Sequence, residues 1–205
     1  MIVPANTFRL EDHSLTDGCH ILMGRLPAHL VPDEKQFHDL WNLHPAEFHV
    51  IKIGGRLVNT PRWQQAYDRD YAYTVQVNKA LPVPAMLTPM LAWAQETVDA
   101  RLNGILVNWY DGIPGHYIGR HRDSISNLCV GTSIVTLSFG AARTFRLRAW
   151  RGESEPRVID FAATNGIVFV MPWQTNLKWT HEVPKSTKGG RRISVTFRAF
   201  EPKEV

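Results

Sequence analysis

After Asn103-Gly104 the chain is broken at short intervals by Gly, Pro, Asn and Ser, and this punctuation limits what it can fold into more than any other feature. Between the breaks lie Ile105 to Tyr110, Tyr117 to Asp123, Ser133 to Phe139, Thr144 to Trp150, Val158 to Phe161, Gly166 to Met171, Leu177 to Glu182 and Arg192 to Phe200. Eight short strands at such spacing, with helices only before them, predict a jelly roll, that is, a double-stranded β-helix. The fold class is therefore mainly β within α+β, with N-terminal helices packed against the β core.

The helical signals lie upstream. Asp33 and Gln36 have the spacing of a capping box, and Phe37, Leu40, Trp41 and His44 follow at i, i+3, i+4 and i+7, so a helix is predicted from about Pro32 to His44. A second begins at Pro84 or at Thr88, with Pro89 at its first position, and runs to about Arg101 through Leu87, Leu91, Ala94 and Val98. With 205 residues, 44% of them hydrophobic, one sizeable core can close. The chain reads as a single domain over 1–205, a helical buttress over 1–103 and a β core over 104–201.

Only Cys19 and Cys129 are present, without C-x-x-C spacing, which argues against a disulfide framework or a thiolate zinc site. Met1-Ile2-Val3-Pro4 lacks a basic segment followed by an apolar run, and no stretch approaches the ~20 apolar residues of a membrane span. These features predict a cytoplasmic protein, or a nuclear one in a eukaryote, with no membrane association and no obligate protein partner. The net charge of +4 suits a polyanionic partner without requiring one.

Chemistry concentrates on three strands. In Tyr117-Ile118-Gly119-Arg120-His121-Arg122-Asp123, strand alternation sends His121 and Asp123 to one face. Downstream of Asp123 the chain has one histidine, His181, in Trp179-Thr180-His181-Glu182-Val183-Pro184. Two imidazoles and a carboxylate on one side of a metal form the facial set that holds Fe(II) and leaves positions open. His116 is a rival ligand, but five residues from His121 it points to the other face of a continuous strand. In the last strand, parity puts Arg192, Ser194, Thr196 and Arg198 on one face and Ile193, Val195 and Phe197 on the other. Two inward guanidiniums call for an anionic ligand, because an unpaired buried cation is costly. The segment from Arg56 to Tyr73 interleaves Arg62 and Arg69 with Trp63, Tyr67, Tyr71 and Tyr73, a texture suited to stacking and phosphate contact or to ordinary edge packing.

Taken together, Asn108-Trp109-Tyr110, Ile118 to Asp123, Leu137-Ser138-Phe139-Gly140-Ala141-Ala142-Arg143-Thr144-Phe145, Trp179 to Pro184 and Arg192 to Arg198 resemble the AlkB-type iron(II) and 2-oxoglutarate-dependent dioxygenases, in their branch that repairs alkylated nucleic acids. The resemblance covers about half the chain, roughly residues 103 to 200. It implies that His121, Asp123 and His181 ligate Fe(II). Arg198 would hold the far carboxylate of the co-substrate 2-oxoglutarate, with Asn108, Tyr110, Arg192 and Ser194 completing the receptor. It makes 104–201 the catalytic core and adds a substrate lid to the buttress. Reaction with O2 would oxidatively dealkylate N-alkylated bases such as 1-methyladenine or 3-methylcytosine in DNA or RNA, releasing formaldehyde, succinate and CO2. Arg62, Trp63, Tyr71, Tyr73 and Arg143 become candidate substrate contacts, with Arg146 and Arg148 at the rim. Two positions depart from the pattern. Ser124, Ile125 and Ser126 follow Asp123 where many repair members carry an acid near the base, and Ser194 stands where an asparagine is common. The first leaves room for an alternative, an AlkB-like oxygenase that hydroxylates or demethylates a protein or a small molecule.

Overall fold

The computed structural model describes residues 8–16, 18–73, 76–150, 157–186 and 188–202, with the side chains of Ile53, Tyr73 and Gln76 outside the described set. The strands are β1 (Leu10–Ser14), β2 (His20–Arg25), β3 (Val50–Ile53), β4 (Arg56–Asn59), β5 (Trp63–Tyr67), β6 (Tyr71–Tyr73), β7 (Gln76–Asn78), β8 (Gly104–Asp111), β9 (Ile118–His121), β10 (Ile134–Gly140), β11 (Arg143–Ala149), β12 (Val158–Ala163), β13 (Ile167–Met171), β14 (Trp179–Val183) and β15 (Arg191–Arg198). The helices are α1 (Glu34–Trp41), α2 (Thr88–Thr97) and α3 (Trp173–Lys178).

A seven-stranded sheet in the order β1-β2-β13-β10-β15-β8-β5 faces a four-stranded sheet in the order β12-β11-β14-β9. Two hairpins, β3-β4 and β6-β7, stand apart. This is the double-sheet core the strand spacing predicts, with one correction. The N-terminal half is more than a helical buttress, because β1 and β2 extend one edge of the large sheet and β5 forms the other. Strand β5 holds its place by pairing Gln64 with Asn108 and Ala66 with Leu106 on β8. Its sequence, Trp63-Gln64-Gln65-Ala66-Tyr67, lacks the alternation that marks a strand in isolation.

The two faces of the large sheet differ sharply. On one, Ile193, Val195 and Phe197 join Val107, Trp109, Leu137 and Phe139 in a buried cluster that also takes Leu40 and Trp41 of α1 and Met90 and Ala94 of α2. Helix α1 starts where predicted, since Asp33 caps Gln36 and Gln36 returns the bond. The indole N–H of Trp109 donates to the Leu40 carbonyl at 2.9 Å, tying α1 to the middle of β8. Helix α2 ends at Thr97, short of the predicted Arg101. On the other face, register aligns Ser138, Ser194, Asn108 and Gln64 in one row across β10, β15, β8 and β5. That polar row lies between the sheets, where apolar residues alone would make the tightest core. Phe145, Phe169, Met171 and Trp179 close the rest of the inter-sheet space.

Candidate metal centre and its flanking cavities

Strand β9 is the edge of the small sheet and pairs with β14 so that His121 lies directly opposite His181. Their ring centroids are 4.2 Å apart. Asp123 falls two residues past the end of β9, so strand geometry alone does not aim it. Its backbone N–H donates to the Asn176 side-chain oxygen at 3.0 Å, and the Asn176 amide donates back to the Asp123 carbonyl at 3.1 Å. Helix α3, whose last two residues fall within the strand predicted from Leu177, carries Asn176 and supplies this clamp.

The triad's protonation follows from its surroundings. His121 Nδ1 lies 2.8 Å from the Gly119 carbonyl, which can only accept, so Nδ1 carries the proton and Nε2 presents its lone pair inward. Burial, followed by the neighbouring His121, pushes the His181 imidazole down to about 3, and burial also lowers His121. Burial alone would raise Asp123; Arg198 and the two imidazoles outweigh it and hold the carboxyl well below the usual carboxylate range. At neutral pH the set is two neutral nitrogens and one anionic oxygen.

Asp123 divides its two oxygens. Oδ2 accepts from Arg198 Nε at 2.9 Å and Nη2 at 2.6 Å. Oδ1 faces His121 Nε2 at 3.6 Å and His181 Nε2 at 3.8 Å and accepts from the Tyr71 hydroxyl at 3.3 Å. Separations of 3.6 and 3.8 Å are too long for hydrogen bonds and suit atoms that share a cation. The three ligand atoms lie within 4.8 Å of one another, and no fourth His, Cys, Asp or Glu of the described residues joins them. Two imidazole nitrogens and one carboxylate oxygen fit Fe(II) and leave room for further ligands.

Behind the triad, an inner cavity runs between the sheets past Asn108, Tyr110, Arg192, Ser194, Thr196 and Arg198. Arg192 is only 1% exposed; its Nε donates to the Ser138 hydroxyl at 3.0 Å, and Nη1 has no partner among the described residues. Its guanidinium lies 5.0 Å from the Tyr110 ring centre. The two arginines of β15 therefore have different surroundings. Arg198 lies on Asp123 beside the triad, and Arg192, six residues away on the same strand, is the cation at the far end with no carboxylate beside it among the described residues.

In front of the triad an outer cavity of about 460 Å³ opens to solvent, and Arg62, Tyr71, Ile118 and His121 line both cavities. Four sequence candidates sit elsewhere. Trp63 is stacked between His44 and Phe48, at 4.2 and 5.2 Å, and lines neither cavity, because β5 pairing turns it toward α1. Arg143 lies beneath Tyr110, donates to the carbonyls of His116 and Pro184, and lines neither cavity. Arg146 and Arg148 are taken up by Asp160 and Glu182 on neighbouring strands, at 2.6 and 2.7 Å. The side chain of Tyr73 is outside the described residues. His116 packs against Trp63 and its Nδ1 accepts from the Asp111 N–H, away from the metal centre. Sequence reasoning missed Asn176, Gln64 and Ser138; only Ser138 carries a signal, as an inward residue opposite Ser194.

The fold and site define a two-histidine, one-carboxylate metalloprotein built on a jelly roll. The family model described as "2OG-Fe(II) oxygenase superfamily" matches residues 42–198. The chain belongs to that superfamily as an AlkB-type member, an oxidoreductase of the dioxygenase class with Fe(II), 2-oxoglutarate and O2 as cofactors. It is 31% identical over 163 residues to the DNA oxidative demethylase ALKBH2 of Bos taurus, covering 74% of this chain and 58% of that protein. Against the ALKBH2 of Homo sapiens it is 32% identical over 160 residues, covering 72% of this chain and 60% of the relative. The match therefore spans somewhat under two thirds of the length of these relatives. A 2OG-Fe(II) oxygenase family oxidoreductase from Burkholderia pseudomallei shares the fold, with a TM-score of 0.55 at 18% identity over 87% of this chain and 84% of that one. Among the described residues no helix is long and apolar enough to cross a membrane.

Proposed function

We propose that this chain oxidatively dealkylates N-alkylated bases in DNA or RNA. The carrying observation is the outer cavity: it opens the triad to solvent, is wide enough for a base, and is walled by arginines and Tyr71. The ALKBH2 relatives, named as DNA oxidative demethylases, support the same reading. For a methylated base the balance is base N–CH3, 2-oxoglutarate and O2 going to base N–H, formaldehyde, succinate and CO2.

His121, Asp123 and His181 would hold Fe(II), which supplies the activation of dioxygen and the oxidation of the alkyl carbon. Arg198 positions Asp123 by gripping Oδ2, which leaves Oδ1 facing the two imidazoles as the oxygen that would ligate the metal. Arg192 receives the far carboxylate of 2-oxoglutarate, its Nη1 supplying an unused donor, with Tyr110, Ser194 and Asn108 shaping the cavity. Arg143 adds a second buried cation near Tyr110 with its own Nη1 unpartnered. The segment up to 103 acts as buttress and lid, since Ile51 of β3 and Tyr71 and Ala72 of β6 line the outer cavity, and 104–201 acts as the catalytic core. A base stacked in a duplex cannot reach the triad, so the substrate is flipped or single-stranded.

The test is succinate and formaldehyde release with Fe(II) and 2-oxoglutarate, with and without oligonucleotides carrying single methylated bases. Stimulation of both products in equal amounts supports the proposal. Turnover that no modified oligonucleotide stimulates rejects it.

A further inference from the structure

Arg62 is 4% exposed, yet among the described residues it meets no carboxylate. Its Nε donates to Asn108 Oδ1 at 2.7 Å and its Nη2 to Gln64 Oε1 at 3.0 Å, both neutral amides. Arg120 and Arg122, which also line the outer cavity, are held in the same way. Arg120 donates to the Thr180 hydroxyl and the Ala149 carbonyl, and Arg122 to the Leu177 carbonyl. Among the described residues no Asp or Glu lines the outer cavity. Asp123, just behind it, has Oδ2 on Arg198 and Oδ1 turned to the imidazoles.

The loaded site does not correct this imbalance. The metal's two positive charges, the co-substrate's two negative charges, Asp123 and Arg198 sum to zero, and the buried Arg192 and Arg143 add positive charge behind the triad rather than removing it. The guanidinium of Arg62 remains uncompensated at the cavity floor, with Arg120 and Arg122 beside it. Whatever enters meets fixed positive charge in a partly dry space, where repulsion of a like charge is screened far less than in water. It also meets N–H donors with no acceptor role, since a guanidinium can only donate.

Given that alkylated bases enter this cavity, as proposed above, we infer that it selects neutral bases whose alkylated nitrogen is flanked by carbonyl oxygen, such as N3-alkylated thymine or uracil and N1-alkylated guanine. It discriminates against bases made cationic by alkylation, such as N1-alkylated adenine and N3-alkylated cytosine. A carbonyl accepts from Arg62, as guanine O6 accepts from arginine in groove recognition. A cationic amidine base brings a like charge and, on the edge where guanine carries O6 and thymine O4, turns an N–H donor to the same group. Ser124, exposed on the rim, offers a hydroxyl but no counter-charge.

The experiment compares oligonucleotides identical except for one base, 3-methylthymine, 1-methylguanine, 1-methyladenine or 3-methylcytosine, in DNA and in RNA. Affinity is measured anaerobically with Fe(II) and 2-oxoglutarate present, and kcat/KM from repaired product by mass spectrometry. The neutral bases should lead the cationic ones by about tenfold or more in both readouts, the scale of one like charge at short range in a semi-polar site. Ser124→Asp places an acid on the rim and should shift the ratio about tenfold toward the cationic bases; Arg62→Gln should shift it the same way. Cationic bases bound and turned over as well as neutral ones, or a ratio that Ser124→Asp leaves unmoved, would overturn the inference while leaving base dealkylation standing. No response to any modified base would overturn both.

Discussion

Arg192 and Arg198 leave the same face of β15 and are both almost fully buried, at 1% and 5% exposure, yet they are in opposite electrostatic states. Arg198 is neutralised inside the protein by Asp123, through two hydrogen bonds to one oxygen. Arg192 has a hydroxyl for Nε, an aromatic face, and no partner for Nη1 among the described residues. A buried pair is weak evidence for stability as such, but breaking one by removing a single partner is expensive. A buried cation left without an acid is instead a standing cost that a bound anion relieves. The difference separates an arginine with an acid of its own from one without, which is the ground for proposing Arg192 as the anion receptor.

The largest effect belongs to the group both parts depend on. Asp123→Ala should lower turnover by on the order of 10²-fold or more through loss of iron, read by metal content and succinate formation. Retained activity would remove Asp123 from the ligand set. The two arginines should then part company in stability. In metal-free protein Arg198→Met should cost about 3–5 kcal/mol, because Asp123 stays buried without its partner. Arg192→Met should leave stability unchanged or raise it, since it removes an uncompensated charge. Equal losses in denaturant melts would erase the distinction between them.

Acid should bear strongly on the Arg198 end, where burial holds both His181 and His121 below the usual imidazole range. The folded pKa of His181 is about 3, below its unfolded value near 6.5, so the unfolded chain binds more protons between those values. Stability of the metal-free protein is therefore fully present above about 6.5 and is lost as pH falls toward 3, by roughly 2 kcal/mol between pH 7 and 5 for this one group. His181→Gln should flatten that slope; an unchanged slope would place the titrating group elsewhere. The smallest effect is expected on the solvent side of the small sheet. Arg146 and Asp160 form an exposed pair, so Arg146→Gln should change stability by at most about 1 kcal/mol and leave oligonucleotide affinity unmoved. A large affinity loss would return Arg146 to the substrate surface.

The sequence disclosed what repeats and what must be a particular element. Strand spacing after Gly104 foretold the double sheet, and parity placed His121 and both arginines inward because a strand's alternation is fixed by its backbone. His181 stood out as the lone histidine downstream of Asp123. What parity cannot disclose is distance along a face. It put Arg192 and Arg198 on one side of β15 without saying which of them reaches Asp123. Partners fixed by tertiary contact were also silent. Asn176 clamps Asp123 from a six-residue helix too short to show a periodic pattern in the sequence, and Trp63 has the look of a stacking residue until β5 turns it toward His44 and Phe48. The charge of the outer cavity needed the fold as well, since only there does Arg62 prove to be held by amides.

The most direct test of this account is calorimetric titration of 2-oxoglutarate into the Fe(II)-loaded protein without oxygen, comparing wild type with Arg192→Met. The assignment of Arg192 as the far-carboxylate receptor predicts single-site binding to wild type and an affinity lower by on the order of 10²-fold in the variant, as expected when one partner of a desolvated charge pair is removed. Binding to Arg192→Met as tight as to wild type would contradict it.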